Sequence, residues 1–355
     1  MNISKILALA MLAFAAPTVC WATQNPEEPP VQHRAMGFKR TDPALLAELA
    51  KNKPANSTHI GLKAMALPKR VDNTIYCSPR MNQGQLGSCT ANAMTQQLYM
   101  RQVIQFFEQN KGSVTLEECK KKFNPGSRLF LYYEERKLEN SINEDAGASI
   151  GDGMRVMSNI GVPAEKYWPY SDDPKTFMVE PSATAYKHAS KNRDLDGLDH
   201  DYLFPKKGRY DLVEIKSALT LKQPLVAGIL IYASFNSANV ANKGIVPVPD
   251  TAKEKCDGGH AILFAGYDDD MTFDGGKTKG YIIAVNSWGT NWGAADSAKQ
   301  RGIFFLPYAF VQNANLTSEI WKIGTVTMPI ESLKKSIAGY VEDTDESKAK
   351  VEIIH

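Results

Sequence analysis

Asn82-Gln83-Gly84-Gln85-Leu86-Gly87-Ser88-Cys89 is a glycine-punctuated loop that hands a cysteine to the first turn of a long helical pattern. From Cys89 to Lys111 there is neither Gly nor Pro. Apolar residues recur three and four apart, Met94 with Leu98 and Tyr99 with Val103 and Phe106, until Gly112 ends the run. That periodicity predicts a buried central helix. A thiol at its start faces unpaired N–H groups and the positive end of the helix dipole, and both favour the reactive thiolate. Alone, the signal is weak, because a buried, inert cysteine at a helix start is the commoner case.

Working outward, helical signals recur at 127–138 and 149–160, the latter ahead of Gly161-Val162-Pro163, and more briefly from Asp211 to Leu219. The period then changes. Apolar runs at 224–233, 260–267, 280–286 and 302–308, each bounded by Gly, Pro, Asn or Asp, read as strands. Helices first and strands second, without βαβ alternation, predict an α+β protein with a helical lobe and an antiparallel sheet lobe.

Composition narrows the function. The chain has 355 residues, 43% hydrophobic and 23% charged, with 41 Lys and Arg against 39 Asp and Glu. That is an ordinary globular balance with no electrostatic footprint for nucleic acid. Lys5, the apolar run Ile6 to Ala16 and the small residues around Cys20-Trp21-Ala22 read as a secretory signal over 1–22. The run is too short to span a bilayer, and no later stretch is longer, so the expected product is soluble, secreted or periplasmic. Segment 23–66 carries one short helix signal, Thr41-Asp42 capping 43–51 with Leu45, Leu46 and Leu49 on one side, and the tail after 330 is charge-rich.

Two further motifs carry chemistry. Asp257-Gly258-Gly259-His260-Ala261 sets a histidine at a strand start, whereas His33, His59, His188, His200 and His355 lie in polar or terminal contexts. Asn286-Ser287-Trp288-Gly289-Thr290-Asn291-Trp292-Gly293 sets an amide at a strand end beside two indoles spaced by glycines. Cysteine, histidine, asparagine is the order of a thiol nucleophile, its base and the group that orients the base.

Together these blocks resemble the papain-like, cathepsin-type cysteine peptidases, whose three signature blocks stand here in family order. Ala146-Gly147, Glu165 to Tyr170, Pro224 to Gly228 and Gly244 to Val246 extend the resemblance over about 67–323. It implies a two-lobe papain-like fold with the active site in the cleft between the lobes. It also implies a cofactor-free, monomeric thiol endopeptidase acting on polypeptides through an acyl-enzyme. Carried over residue by residue, Cys89 is the nucleophile, His260 its partner, Asn286 the orienting group and Gln83 a side-chain donor to the oxyanion. Trp288 covers the His260–Asn286 bond. Gly147 would hydrogen-bond an extended substrate, and Ala148, Ser149, Gly228, Gly258 and Ala261 would line a roomy apolar pocket.

The resemblance departs at Leu86, where the family has a disulfide cysteine, and in insertions near 171–210, 236–256 and 268–279. The expected organisation is a signal at 1–22, a short pro-segment at 23–66, a peptidase domain at 67–330 and a C-terminal extension at 331–355. The pro-segment is expected to obstruct the cleft, anchored by its leucines, and to be removed near Ala64–Leu67. Of Cys77, Cys119 and Cys256, two are expected to form a disulfide, with Cys77–Cys256 favoured. Rival readings are a catalytically silent papain-fold binding protein, transglutaminase or amidase chemistry on the same triad, and a zinc site from Cys77, Cys256 and His260. The last lacks paired ligand spacing.

Overall fold

The computed structural model describes residues 36–52, 67–191 and 200–323. Its first elements are β1 (Phe38–Lys39), α1 (Pro43–Asn52) and β2 (Arg70–Asp72). The helical lobe follows with α2 (Cys89–Gln109), α3 (Leu116–Lys122), α4 (Arg128–Leu138), β3 (Ala148–Ser149), α5 (Ile150–Asn159) and α6 (Ala183–Ala189). The sheet lobe comprises β4 (His200–Tyr202), α7 (Leu212–Thr220), β5 (Leu225–Tyr232), α8 (Ala238–Lys243), β6 (Cys256–Phe273) and β7 (Thr278–Val285). It ends with β8 (Ala294–Ala295), β9 (Arg301–Pro307), α9 (Tyr308–Gln312) and β10 (Thr317–Ile323).

Local chemistry accounts for the helix starts. Ser127, Ser149 and Asp211 each accept a backbone N–H from the first turn of α4, α5 and α7, filling donors that a helix end otherwise leaves unpaired. α2 is buried on most of its surface, including Met94, Leu98, Tyr99, Val103 and Phe106. Its polar residues are satisfied rather than solvated: the Gln97 amide donates to Pro224 O at 2.9 Å and Trp321 O at 3.1 Å, bonding the helix to the sheet.

The sheet runs β4-β10-β5-β6-β7-β9-β8, with β2 on the side of β6, and its pairings are antiparallel. The expected strand runs become β5, β6, β7 and β9. β6 is far longer than 260–267, because Cys256-Asp257-Gly258-Gly259 and the acidic Asp268-Asp269-Asp270 look like turns, yet pairing extends from Tyr232↔Cys256 to Phe273↔Thr278. Ladder pairing overrides composition there. The register aligns Gly228 with Ala261 and Ile229 with His260 on neighbouring strands.

The expected disulfide is not formed: Cys77, Cys89, Cys119 and Cys256 are all free thiols. Cys77 is buried with its Sγ 3.4 Å from Met100 Sδ on α2, whereas Cys256 is exposed at the start of β6. The proposed zinc ligands are dispersed for the same reason, and among the described residues no group of three His, Cys, Asp or Glu is placed to hold a metal. The signal at 1–22 and the extension at 331–355 lie outside the described residues, among which no helix is long and apolar enough to cross a membrane.

The chain entering the nucleophile loop is pinned to the sheet lobe by Arg80, whose guanidinium pairs with Asp296, both side chains being almost wholly buried. Removing one member of a buried pair strands the other charge. Asp296→Ala is therefore expected to lower unfolding stability by about 3–5 kcal/mol and Asp296→Asn by less, as read by urea denaturation of the two variants.

Candidate active site

Cys89 is the first residue of α2 and fully buried. The backbone amides of Ala261, Gly37 and Thr90 face its sulfur, so the thiol lies at the junction of α2, β6 and the N-terminal stretch. Next to Ala261 on β6 stands His260, also fully buried. Its Nε2 is 2.8 Å from Asn286 Oδ1, at the end of β7. That oxygen also accepts the Ser287 N–H at 2.8 Å, which identifies it as the carbonyl side of the amide. Nε2 therefore donates, and Nδ1, which has no hydrogen-bond partner, carries the lone pair. Trp288 stacks on the imidazole with centroids 4.9 Å apart and rings inclined by 27°. Trp292 braces Trp288 edge-on at 5.0 Å.

Gln83 is buried and doubly fixed: Ser287 Oγ donates to its Oε1 at 2.6 Å, and its Nε2 donates to Leu86 O at 2.9 Å. Tyr170, from the block at 165–170, donates to Gln83 O at 2.8 Å and lies 2.6 Å from Ser88 Oγ, supporting the loop from behind. Arg128 joins Glu165 at 2.7 Å and Asn82 O at 3.2 Å on the same side. Cys89, His260, Asn286, Gln83 and Trp288 thus come together.

The recognition residues are rearranged relative to expectation. Between the lobes runs the chain's own Met36 to Thr41, with β1 pairing parallel to β3. The backbone bond to this stretch comes from Ala148, whose N–H donates to Gly37 O at 2.7 Å, while the Gly147 N–H goes to Tyr132 Oη at 3.1 Å. Gly147 contributes by lacking a side chain. Its φ of +72° is a glycine conformation, and a Cβ there would stand 2.1 Å from Gly37 O. Ser149 spends its hydroxyl on capping α5 and on Asp152, while its backbone stands in register with Lys39 of the same stretch. The pocket itself is filled by the Phe38 ring. A Cβ on Gly228 would be 2.2 Å from that ring, and a Cβ on Gly259, rather than on Gly258, would also meet it, at 2.8 Å. Gly258 instead faces Met36, while Ala148 and Ala261 are buried in the same cluster as Phe38.

Residues that sequence reasoning missed hold this stretch in place. Thr41 donates its N–H and hydroxyl to Glu319 on β10 at 2.5 and 2.6 Å, and Trp321 Nε1 adds a third donor at 2.9 Å. Glu319 pairs across the sheet with Gly228, which puts its carboxylate on the face that receives Phe38. Lys39 reaches Glu139 at 2.7 Å. Of the leucine anchor, Leu46 is half-buried and packs against the core, Leu45 is half-buried, and Gly37, Phe38 and Thr41 add the hold that the leucines do not supply. Leu49's side chain and the expected cut near Ala64–Leu67 lie outside the described residues. No local signal marks these contacts, since Thr41 and Glu319 are 278 positions apart.

Of the insertions, Asp172 reaches the cleft rim, accepting the Gln85 N–H at 3.2 Å. The 268–279 hairpin does not border it: eight residues of strand place Asp268 roughly 26 Å from His260.

Burial sets the electrostatics. It raises the Cys89 thiol to about 11, against smaller lowering by the surrounding amides. It also lowers the His260 imidazole to about 4, with the Asn286 bond opposing. With the cleft occupied, the pair at neutral pH is thiol and neutral imidazole.

The papain family cysteine protease profile matches residues 67–299. An uncharacterized peptidase C1-like protein of Acanthamoeba polyphaga mimivirus is 37% identical over 253 residues, 70% of this chain and 71% of that one. Xylellain, a cysteine protease from Xylella fastidiosa, superposes with a TM-score of 0.57 at 28% identity, covering 83% of this chain and 97% of xylellain. Procathepsin B S9 from Trypanosoma congolense shares the fold, with a TM-score of 0.54 at 15% identity over 83% of this chain and 87% of its own. The fold and site thus define a papain-like thiol peptidase. The chain belongs to the papain family of cysteine proteases.

In the untrimmed full-length chain, alkylation of Cys89 by iodoacetamide, mapped by peptide mass spectrometry, is expected to rise about tenfold per pH unit up to pH 9–10, as the thiolate fraction does. A plateau reached below pH 7 would show a thiolate already formed in the closed cleft.

Proposed function

We propose that this chain is an exported endopeptidase precursor that hydrolyses peptide bonds with Cys89, His260 and Asn286, and that residues 36–41 keep it latent. The observation that carries the reading is the His260 ring. One nitrogen is fixed on Asn286 at 2.8 Å and the other is unpartnered, on the residue of β6 that precedes Ala261, whose backbone amide faces the Cys89 sulfur. When the cleft hydrates, His260 Nδ1 takes the thiol proton as sulfur attacks the substrate carbonyl and an S–C bond forms. The imidazolium returns that proton to the departing amine as the C–N bond breaks. Water, deprotonated by the same nitrogen, then cleaves the thioester to release the acid and regenerate the thiol. The oxyanion is received by the Cys89 N–H and by Gln83, whose amide Ser287 orients.

Latency is supported by where the N-terminal stretch lies: Gly37 covers the thiol, Phe38 fills the pocket and Thr41 ties to Glu319. Its β1 runs parallel to β3, pairing with the cleft edge that a substrate would use. Export rests on the reading of 1–22 and disulfide-independent folding on the four free thiols.

Two variants test the two halves. Cys89→Ala is expected to abolish both peptide hydrolysis and labelling by an epoxysuccinyl thiol-protease inhibitor, with an unchanged circular dichroism spectrum; retained hydrolysis would sink the nucleophile assignment. Gly37→Ala puts a methyl group where Gly87 O already stands, 1.6 Å from the new Cβ. Overpacking of this kind costs about 1–3 kcal/mol, so the full-length Gly37→Ala chain is expected to hydrolyse a small peptide roughly tenfold faster than the parent precursor. Equal rates would remove the stopper role.

A further inference from the structure

Leu86 occupies the position at which the family resemblance leads one to expect a disulfide cysteine, and it packs instead with Leu129 and Phe177. The loop it belongs to is nevertheless fastened to the helical lobe. The Gly87 N–H donates to both carboxylate oxygens of Asp145, at 3.0 and 3.1 Å. The same carboxylate receives a short hydrogen bond from Tyr132 Oη, and that hydroxyl in turn accepts the Gly147 N–H at 3.1 Å. A continuous chain of hydrogen bonds therefore runs from the nucleophile loop, through Asp145 and Tyr132, to the edge that precedes β3. Every polar atom in it has a matched role, since the phenol uses its one proton on the carboxylate and a lone pair on the amide.

Both ends of this relay border the same peptide unit. A Cβ on Gly37 would fall 1.6 Å from Gly87 O, and a Cβ on Gly147 would fall 2.1 Å from Gly37 O. An extended backbone lying where residue 37 lies is thus gripped between Gly87 and Gly147. The width of that gap is a property of two flexible glycines, and the relay is what joins them. Burial and the Asp145 bond push the Tyr132 phenol far above its ordinary range, so it remains a proton donor through neutral and alkaline pH.

Resting on the peptidase reading, we propose that Asp145 and Tyr132 are positioning residues for peptide binding: they fix the spacing of the Gly87 and Gly147 backbones between which the substrate main chain lies. The link does with one carboxylate and one phenol what a disulfide at Leu86 would do covalently, and it is insensitive to reductant. Neither residue touches the reacting atoms.

The test has two readouts. In full-length Cys89→Ala protein, which cannot trim itself, amide exchange is followed at Gly87 and Gly147. Tyr132→Phe is expected to speed exchange at Gly147 about tenfold, as for one lost hydrogen bond, and to leave Gly87 protected, whereas Asp145→Ala speeds both. In the enzyme that the full chain yields on maturation, each variant is expected to raise KM for an extended peptide about tenfold. The rate with p-nitrophenyl acetate, which is too small to reach Gly147, should stay unchanged. Asp145→Asn, which keeps an acceptor oxygen for Gly87 and Tyr132, should recover most of the loss. Parental KM and Gly147 protection in Tyr132→Phe and Asp145→Ala would overturn the proposal. So would an equal fall in ester and peptide rates accompanied by a lower melting temperature, since that marks fold-holding alone. If the parent enzyme hydrolyses nothing, the peptidase reading fails, and accelerated or unchanged exchange at Gly147 still decides whether the relay sets the gap.

Discussion

Packing of the start of α2 against β6 is the constraint on which the rest of the molecule depends. A cysteine at the first position of a helix buried on most sides can meet only what the neighbouring sheet brings to it. Here β6 brings the Ala261 amide, with His260 the residue before it on the same strand. Everything that fixes that meeting is backbone geometry: the register aligning Ile229 with His260, the turn that ends β7 at Asn286, and the Gln97 bonds that tie α2 to β5 and β10. Side chains then refine it, as Ser287 does for Gln83 and as Trp288 does by stacking on the imidazole.

The occupied cleft changes the chemistry of that meeting. An open site lets water and the helix dipole share in stabilising a thiolate–imidazolium pair. A site sealed by Gly37 and Phe38 offers only a few amides, and desolvation then dominates both groups, raising the thiol and lowering the imidazole. On the proposed latent-precursor reading, steric blockade and chemical quiescence are one effect of one segment. On that reading, displacing it restores access and water together, so reactivity and substrate entry are gained in the same step.

How far the sequence speaks depends on whether a signal is local. The caps at Ser127, Ser149 and Asp211, the period of α2 and the four apolar strand runs are written in neighbouring residues, and so are the three blocks holding Cys89, His260 and Asn286. The disulfide expectation rested on compartment rather than geometry and gave way to it: Cys77 lies against Met100, and Cys256 is exposed on a strand end. The family resemblance places Ser149 and Gly258 along a substrate pocket without saying what else they touch. Their actual partners, Asp152 and Met36, follow from a helix cap and from a stretch of chain that the pattern does not include. Asp145 and Glu319 carry no motif at all. A carboxylate becomes visible only when the fold brings its donors to it.

The balance of forces on the N-terminal stretch explains why so short a segment can serve. Burying the Phe38 side chain is worth about 1.5–3 kcal/mol. The two Thr41 bonds to the Glu319 carboxylate contribute about 1.5–3 kcal/mol each, and the half-exposed Lys39–Glu139 pair under about 1 kcal/mol. Ordering the five residues 37–41 costs about 1–2 kcal/mol apiece. Gain and cost nearly cancel, so contacts alone would leave the stretch weakly bound as a free peptide. Covalent continuity with the domain decides the outcome. On the proposed reading the stretch belongs to the same chain as the cleft and meets it intramolecularly, at an effective concentration on the order of millimolar, against which a marginal affinity suffices. On that same reading, severing the connection removes the concentration without altering a single contact, and a segment held this loosely then gives way to substrate.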